Sequence, residues 1–196
     1  MKAVKSFIRQ FLPVVLGVYI GIIGSNWNEK RHHKKDQKEF IANTINELKG
    51  NMDKMQGAFD YHDSLAVKVN EYFGAFTTEM LAEPFFVDGR NLAAIPGWIG
   101  MMLPPLESSV YESGLITNVM SDMSFESIGN LAKIYNAQKE FSKLTDKFTD
   151  KLLDMNFNTS ASEVMFTVGF LVSDIRTAEN SMVGGYKSAI EHLKSL

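Results

Sequence analysis

The chain has 196 residues, 45% hydrophobic and 22% charged, a balance that suits a folded protein and is too apolar for a disordered one. A formal net charge of -3 leaves no global basic field to gather nucleic acid. Cysteine is absent, which excludes disulfides, thiolate chemistry and cysteine-ligated zinc or iron–sulfur centres.

In chain order, Lys2, Lys5 and Arg9 come first, followed by an uncharged run from Phe11 to Gly24. That run is shorter than the roughly 20 residues of a full span. Phe7 and Ile8 extend it, Arg9 can snorkel, and Trp27 stands where an interfacial aromatic belongs. The expectation is a transmembrane helix from about Phe7 to Trp27, anchored in a lipid bilayer by Phe11, Val14, Val15, Val18, Ile22 and Trp27. A cleaved signal peptide fits less well, because Ile22 and Ile23 stand three residues before the plausible cuts. A buried core helix is the other alternative. Gly17, Gly21 and Gly24 share a face and offer a helix-packing stripe. Basic residues flank both sides of the run, so orientation in a cell (inner) membrane is poorly set; the uncleaved apolar run tilts it toward an exoplasmic domain.

A charged collar, residues 28–39, separates this anchor (1–27) from a helical domain expected over 40–196. The collar has no Pro or Gly, so anchor and domain are expected to share one rigid stalk. A seam then runs through Ile41, Ile45, Leu48, Met52, Met55, Phe59, His62, Ala66, Val69, Phe73, Phe76 and Met80 at alternating spacings of four and three. That heptad rhythm predicts a long helix with coiled-coil-like packing.

Pro84, Asp88-Gly89, Pro96-Gly97 and Pro104-Pro105 break the rhythm between Glu83 and Pro105. The apolar connection they punctuate is expected to lie as a lid over the open end of the bundle. Phe85, Phe86, Trp98 and Ile99 would make it a partner surface if it binds anything. Short helices are expected between Leu106 and Met123. Ser124 can cap a helix reaching about Met155, with Ile128, Leu131, Tyr135, Phe141, Leu144, Phe148, Leu152 and Met155 on its apolar side. Ser160-Ala-Ser-Glu163 is a capping-box sequence opening the last helix, with Val164, Val168, Leu171, Ile175, Ala178, Met182, Tyr186, Ala189 and Leu193 on its apolar side. The class is all-α: an N-terminal transmembrane helix continuing into an elongated up-down-up three-helix bundle with short connecting helices.

Candidate chemistry is sparse. His32 and His33 point about 100° apart on a helix and sit among lysines, which suits solvation better than a metal. His62 is a polar member of the seam, able to set register or respond to pH if buried; a wet position at the bundle edge is the plainer reading. No Glu-x-x-His, His-Glu-x-x-His, phosphate-binding glycine loop or Gly-x-Ser-x-Gly occurs. No catalytic residue, cofactor or metal is therefore expected.

Two segments carry a resemblance. Val15-Leu-Gly-Val-Tyr-Ile-Gly followed by Asn26-Trp-Asn-Glu-Lys-Arg31, and later Ser109-Val-Tyr-Glu-Ser-Gly-Leu-Ile116, look like a bacterial family of small single-pass membrane proteins of unknown function, DUF6090. The resemblance implies a membrane location and a helical domain, and no activity. The expected function is a membrane-anchored helical structural or protein-interaction module, with a second copy or another protein as partner and no nucleic acid. The alternative is a membrane-bound ligand or stress sensor relaying along the stalk.

Overall fold

The computed structural model describes the backbone of residues 2–196 and the side chains of residues 17–21, 25, 27, 29 and 31–196. It is all-α, with six α-helices among the described residues: α1 (Lys2–Gly74), α2 (Thr78–Ala82), α3 (Ser109–Ile116), α4 (Phe125–Leu153), α5 (Ala161–Phe170) and α6 (Arg176–Lys194). A π-helical turn, Leu171–Ile175, joins α5 to α6 without a break.

α1 has 73 residues and is about 110 Å long. Among its described side chains Phe40 is the first that is buried; those before it are exposed or half-exposed. The transmembrane expectation is corrected: among the described residues no helix is long and apolar enough to cross a membrane. From exposed Val18–Gly21 the helix passes to Ser25, Glu29 and Arg31, so polar residues close the run before it reaches spanning length. With the span goes the single-pass membrane location. Phe11, Val14, Val15, Ile22 and Gly24 lie outside the described side chains.

The helix directions also differ from up-down-up. Glu47 meets Tyr135 and Asn51 meets Gln138, so α1 and α4 run parallel. His62 meets Glu179 and Asp63 meets Arg176, so α6 opposes α1; Ser127–His192 and Gln138–Tyr186 set it against α4 as well. The missing downward leg is the expected lid. After a turn at 95–98, closed by the Trp98 N–H on the Ile95 carbonyl, residues 98–108 form an extended strap lying in the groove between α1 and α4 and running opposite to both. From Met101 to Glu107 it advances as far as α1 does from His62 to Asn51, about 17 Å, a rate only near-extended backbone achieves. Pro104 and Pro105 suit that conformation and bring no N–H of their own to satisfy.

The upper end is closed by Phe85, fully buried, whose N–H donates to the Thr159 carbonyl at 2.8 Å. This contact forms an isolated antiparallel bridge between Pro84 and Ser160. Ser160 caps α5 in a complete capping box with Glu163, and these hydrogen bonds hold the Glu163 carboxyl below its ordinary range. α1 stops at Gly74 rather than near Met80, because Thr77 caps the separate α2. At the other end α3 packs on α1 through Gly114, where a Cβ would collide with the Phe40 ring. Gly114→Val is therefore expected to lower unfolding free energy by about 1–3 kcal/mol in urea denaturation, and to cost less in a Phe40→Ala background, where the ring it strikes is gone. An unchanged midpoint for Gly114→Val would contradict this close approach.

Candidate functional site

An extended segment inside a helical bundle brings backbone donors and acceptors that no neighbouring strand can satisfy. Here helix side chains take the place of that strand. Asn51 Oδ1 accepts the Glu107 N–H at 2.8 Å while its Nδ2 donates to the Glu107 carbonyl at 2.7 Å. Gln138 Nε2 donates to the same carbonyl at 2.9 Å, and Gln138 Oε1 accepts from Tyr186 at 2.9 Å. Higher on the strap, the Tyr61 hydroxyl accepts the Ile99 N–H at 3.1 Å and donates to the Gly100 carbonyl at 3.0 Å. Lower down, Glu47 Oε2 accepts the Val110 N–H at 2.8 Å and the Ser109 hydroxyl at 3.1 Å, and its Oε1 accepts from Tyr135 at 2.6 Å.

Glu47, Asn51 and Gln138 are all buried, and together with Thr44 they continue the helical rhythm of the core. Burial pushes the Tyr135 hydroxyl far up, aided by the Glu47 hydrogen bond, and burial likewise raises Tyr186. Both phenols therefore serve as fixed donors, not proton carriers. Tyr111 stacks flat on Tyr135 with centroids 4.2 Å apart, closing the lower end of the strap. Thr44 Oγ1 is the exception in this layer, buried without a partner.

His62 and Glu179 form the innermost pair, both fully buried. His62 Nε2 lies 2.8 Å from the Met101 carbonyl, which can only accept, so Nε2 carries a hydrogen. His62 Nδ1 lies 2.9 Å from both Glu179 oxygens. One proton is thus shared between Nδ1 and the carboxyl, and the imidazole bridges strap and α6. Next to this pin, Met102 occupies the left-handed region at φ 48°, a conformation costing about 1–3 kcal/mol that survives only where neighbours dictate it. Neither member of the pair has any solvent exposure, so its chemistry is that of a structural clasp.

The residues singled out from sequence separate into three places. His62 is not at a wet bundle edge but at the centre. Phe85 belongs to the core, Phe86 and Trp98 are half-buried against that core, and Ile99 is exposed. Val18 and Trp27 are exposed on α1, and nothing lies within 4 Å of where Gly17 and Gly21 would carry a Cβ. The polar seam members Thr44, Glu47 and Asn51 escaped an apolar search. Their signal was the same four-three spacing, continued from Phe40 through polar side chains. Among the described residues no three His, Asp or Glu side chains stand close enough to hold a metal ion.

Comparison with protein-family models, curated proteins and solved structures finds no match to this chain. The resemblance to DUF6090 is corrected accordingly: no family model supports it, and the described residues contain no spanning helix. The lipid bilayer as partner, the membrane-anchored module and the membrane-bound sensor fall with it.

The clasp has a pH signature. Desolvation pushes the Glu179 carboxyl above its ordinary 4.5, with the His62 hydrogen bond pulling the other way. A carboxyl that holds its proton more tightly when folded contributes stability in full below about 4.5 and loses it as pH rises through the raised folded value. Glu179→Gln removes the titration while keeping an amide that can donate to Nδ1. The stability of the native protein relative to Glu179→Gln, measured by urea denaturation between about pH 4.5 and about pH 7.5, is expected to fall with rising pH. An advantage that grows with pH would contradict the assignment.

Proposed function

We propose that the chain is a helical protein-interaction module without enzymatic activity, in which a strapped bundle holds out a rigid arm. The observation that carries this reading is the continuity of α1. One uninterrupted helix is clasped by the bundle from Phe40 to Phe73 and continues beyond it to Lys2. The part outside the bundle exposes Val18, Tyr19, Ile20 and Trp27 at 59, 62, 66 and 70%. Apolar side chains held in water on a stiff helix favour a protein groove or a partner helix, since burying each contributes roughly 1.5–3 kcal/mol. Leu115, Ile116 and Phe125 are also strongly exposed, at the end of the bundle where α1 leaves it. They form a second exposed apolar group at the root of the arm, separated from Val18–Trp27 by the charged collar, residues 28–39.

The bundle supports the arm by being rigid: its polar residues are engaged with its own strap and are not turned to a substrate. Photoreactive residues placed singly at Val18 and Trp27 test the reading, with Phe157 at the far end of the bundle as control. The expected outcome is discrete protein adducts from the arm positions and none from the control after illumination in cells. Adducts from neither arm position, or equal labelling from all three, would refute an arm-borne interaction surface.

A further inference from the structure

α4 and α6 enclose a surface groove of about 730 Å³, away from the strap. Its walls repeat one spacing on both helices. On α4 the lining residues are Asn130, Lys133, Ile134, Ala137, Glu140, Phe141 and Leu144; on α6 they sit at the same offsets around Gly185. The two centres, Ala137 and Gly185, stand at about one level, since the residues that follow them, Gln138 and Tyr186, are joined by a hydrogen bond. Small residues therefore mark the middle of the groove on both walls, with Ser181 and Ser188 to either side on α6.

The charges are arranged about the same midpoint. Lys133 lies one turn before Ala137 and Glu140 one turn after it, about 6 Å and about 4.5 Å along the axis. Both are exposed, as is Ala137. A two-fold axis crossing α4 at Ala137 and α6 at Gly185 lays each helix antiparallel on its own copy. It brings Lys133 of either copy over Glu140 of the other, twice per pair. The only intramolecular ion pair of Glu140 among the described residues is with Lys143, at 2.6 Å on the outer surface, and it leaves the carboxyl able to accept from a second cation. A face that carries opposite charges at nearly equal distances on either side of one point is electrostatically complementary to itself when turned about that point, as an isologous interface requires.

We propose that a second copy of this chain docks in this groove, forming a four-helix interface from α4 and α6 of each protomer. The proposal rests on the reading of the chain as an interaction module, but it uses a different surface from the arm. Small residues at the centre allow close helix approach, and the flanking charges fix the register.

Sedimentation of the full chain from about 1 to about 100 μM tests it. The native chain is expected to dimerise reversibly. Lys133→Glu and Glu140→Lys should each weaken dimerisation about tenfold or more, because each replaces both attractive pairs by like charges. An equimolar mixture of the two variants should recover it, since opposite charges then meet at both sites, and Lys133→Glu/Glu140→Lys in one chain should do the same. Ala137→Arg should abolish it, and thermal melting checks that these exposed changes leave the fold intact. A native chain that stays monomeric overturns the proposal, whether the groove is empty, filled by a small apolar molecule or covered by another protein. So does a dimer indifferent to both charge reversals, or a mixture that fails to recover. Arm adducts from a monomeric chain would leave the interaction reading standing and remove the dimer alone. A silent arm with an intact, charge-dependent dimer would do the reverse.

Discussion

One extended segment has to satisfy its backbone inside a bundle of helices, and most of the unusual residues of this protein answer to that constraint. A helix supplies its own hydrogen-bond partners; a strand borrows them from a neighbour. The strap has no neighbouring strand. Asn51 pairs with both the N–H and the carbonyl of Glu107 and so imitates one rung of a ladder, and Tyr61 brackets Ile99 and Gly100 from α1. Each such polar side chain would cost about 1–3 kcal/mol if left buried and unpaired, so strap and helices stabilise one another only in a single register.

That single register sets the architecture. Because the strap returns the chain along the length of α1, α4 starts at the same end and runs parallel to α1. α6 then descends between the two, and its Glu179 and Tyr186 reach inward to the strap's own partners, His62 and Gln138. The clasp and the strained Met102 beside it lie at adjacent positions, which places the most tightly dictated backbone next to the most deeply buried ionisable pair. A bundle stiffened in this way can hold α1 at a fixed angle far beyond its own surface, and it leaves the outer faces of α4 and α6 free for contacts that do not disturb the core.

Much of the helical content could be read from sequence because its cues are local. Ser124 caps α4, and Ser160 with Glu163 opens α5. The apolar face expected from Val164 onward is buried but for half-buried Ala178, whereas on α4 Leu131, Tyr135, Phe141 and Phe148 are buried and Ile128, Leu144 and Leu152 only half-buried. The apolar part of the α1 seam was visible for the same reason. Thr44, Glu47 and Asn51 are polar residues whose burial makes sense only once the strap is present, and the strap is held by contacts more than thirty residues distant in the chain. Pro96, Pro104 and Pro105 signal the end of helix equally well for a turn at the tip and for a long extended return, so helix direction could not be decided locally. The apolar run before Trp27 misled differently: hydrophobicity over fourteen residues suggests a span, yet the polar residues that follow within the same helix close it too early.

The Glu107 amide gives the most direct test, because its only hydrogen-bond partner among the described residues is the side chain of Asn51. Native-state hydrogen exchange at that amide should be slow in the intact protein and accelerate by about tenfold or more in Asn51→Leu, while amides in the middle of α4 stay protected. Rapid exchange at Glu107 in the intact protein, or equal protection with and without Asn51, would mean that side chains do not hold the strap and that the bundle is organised by something else.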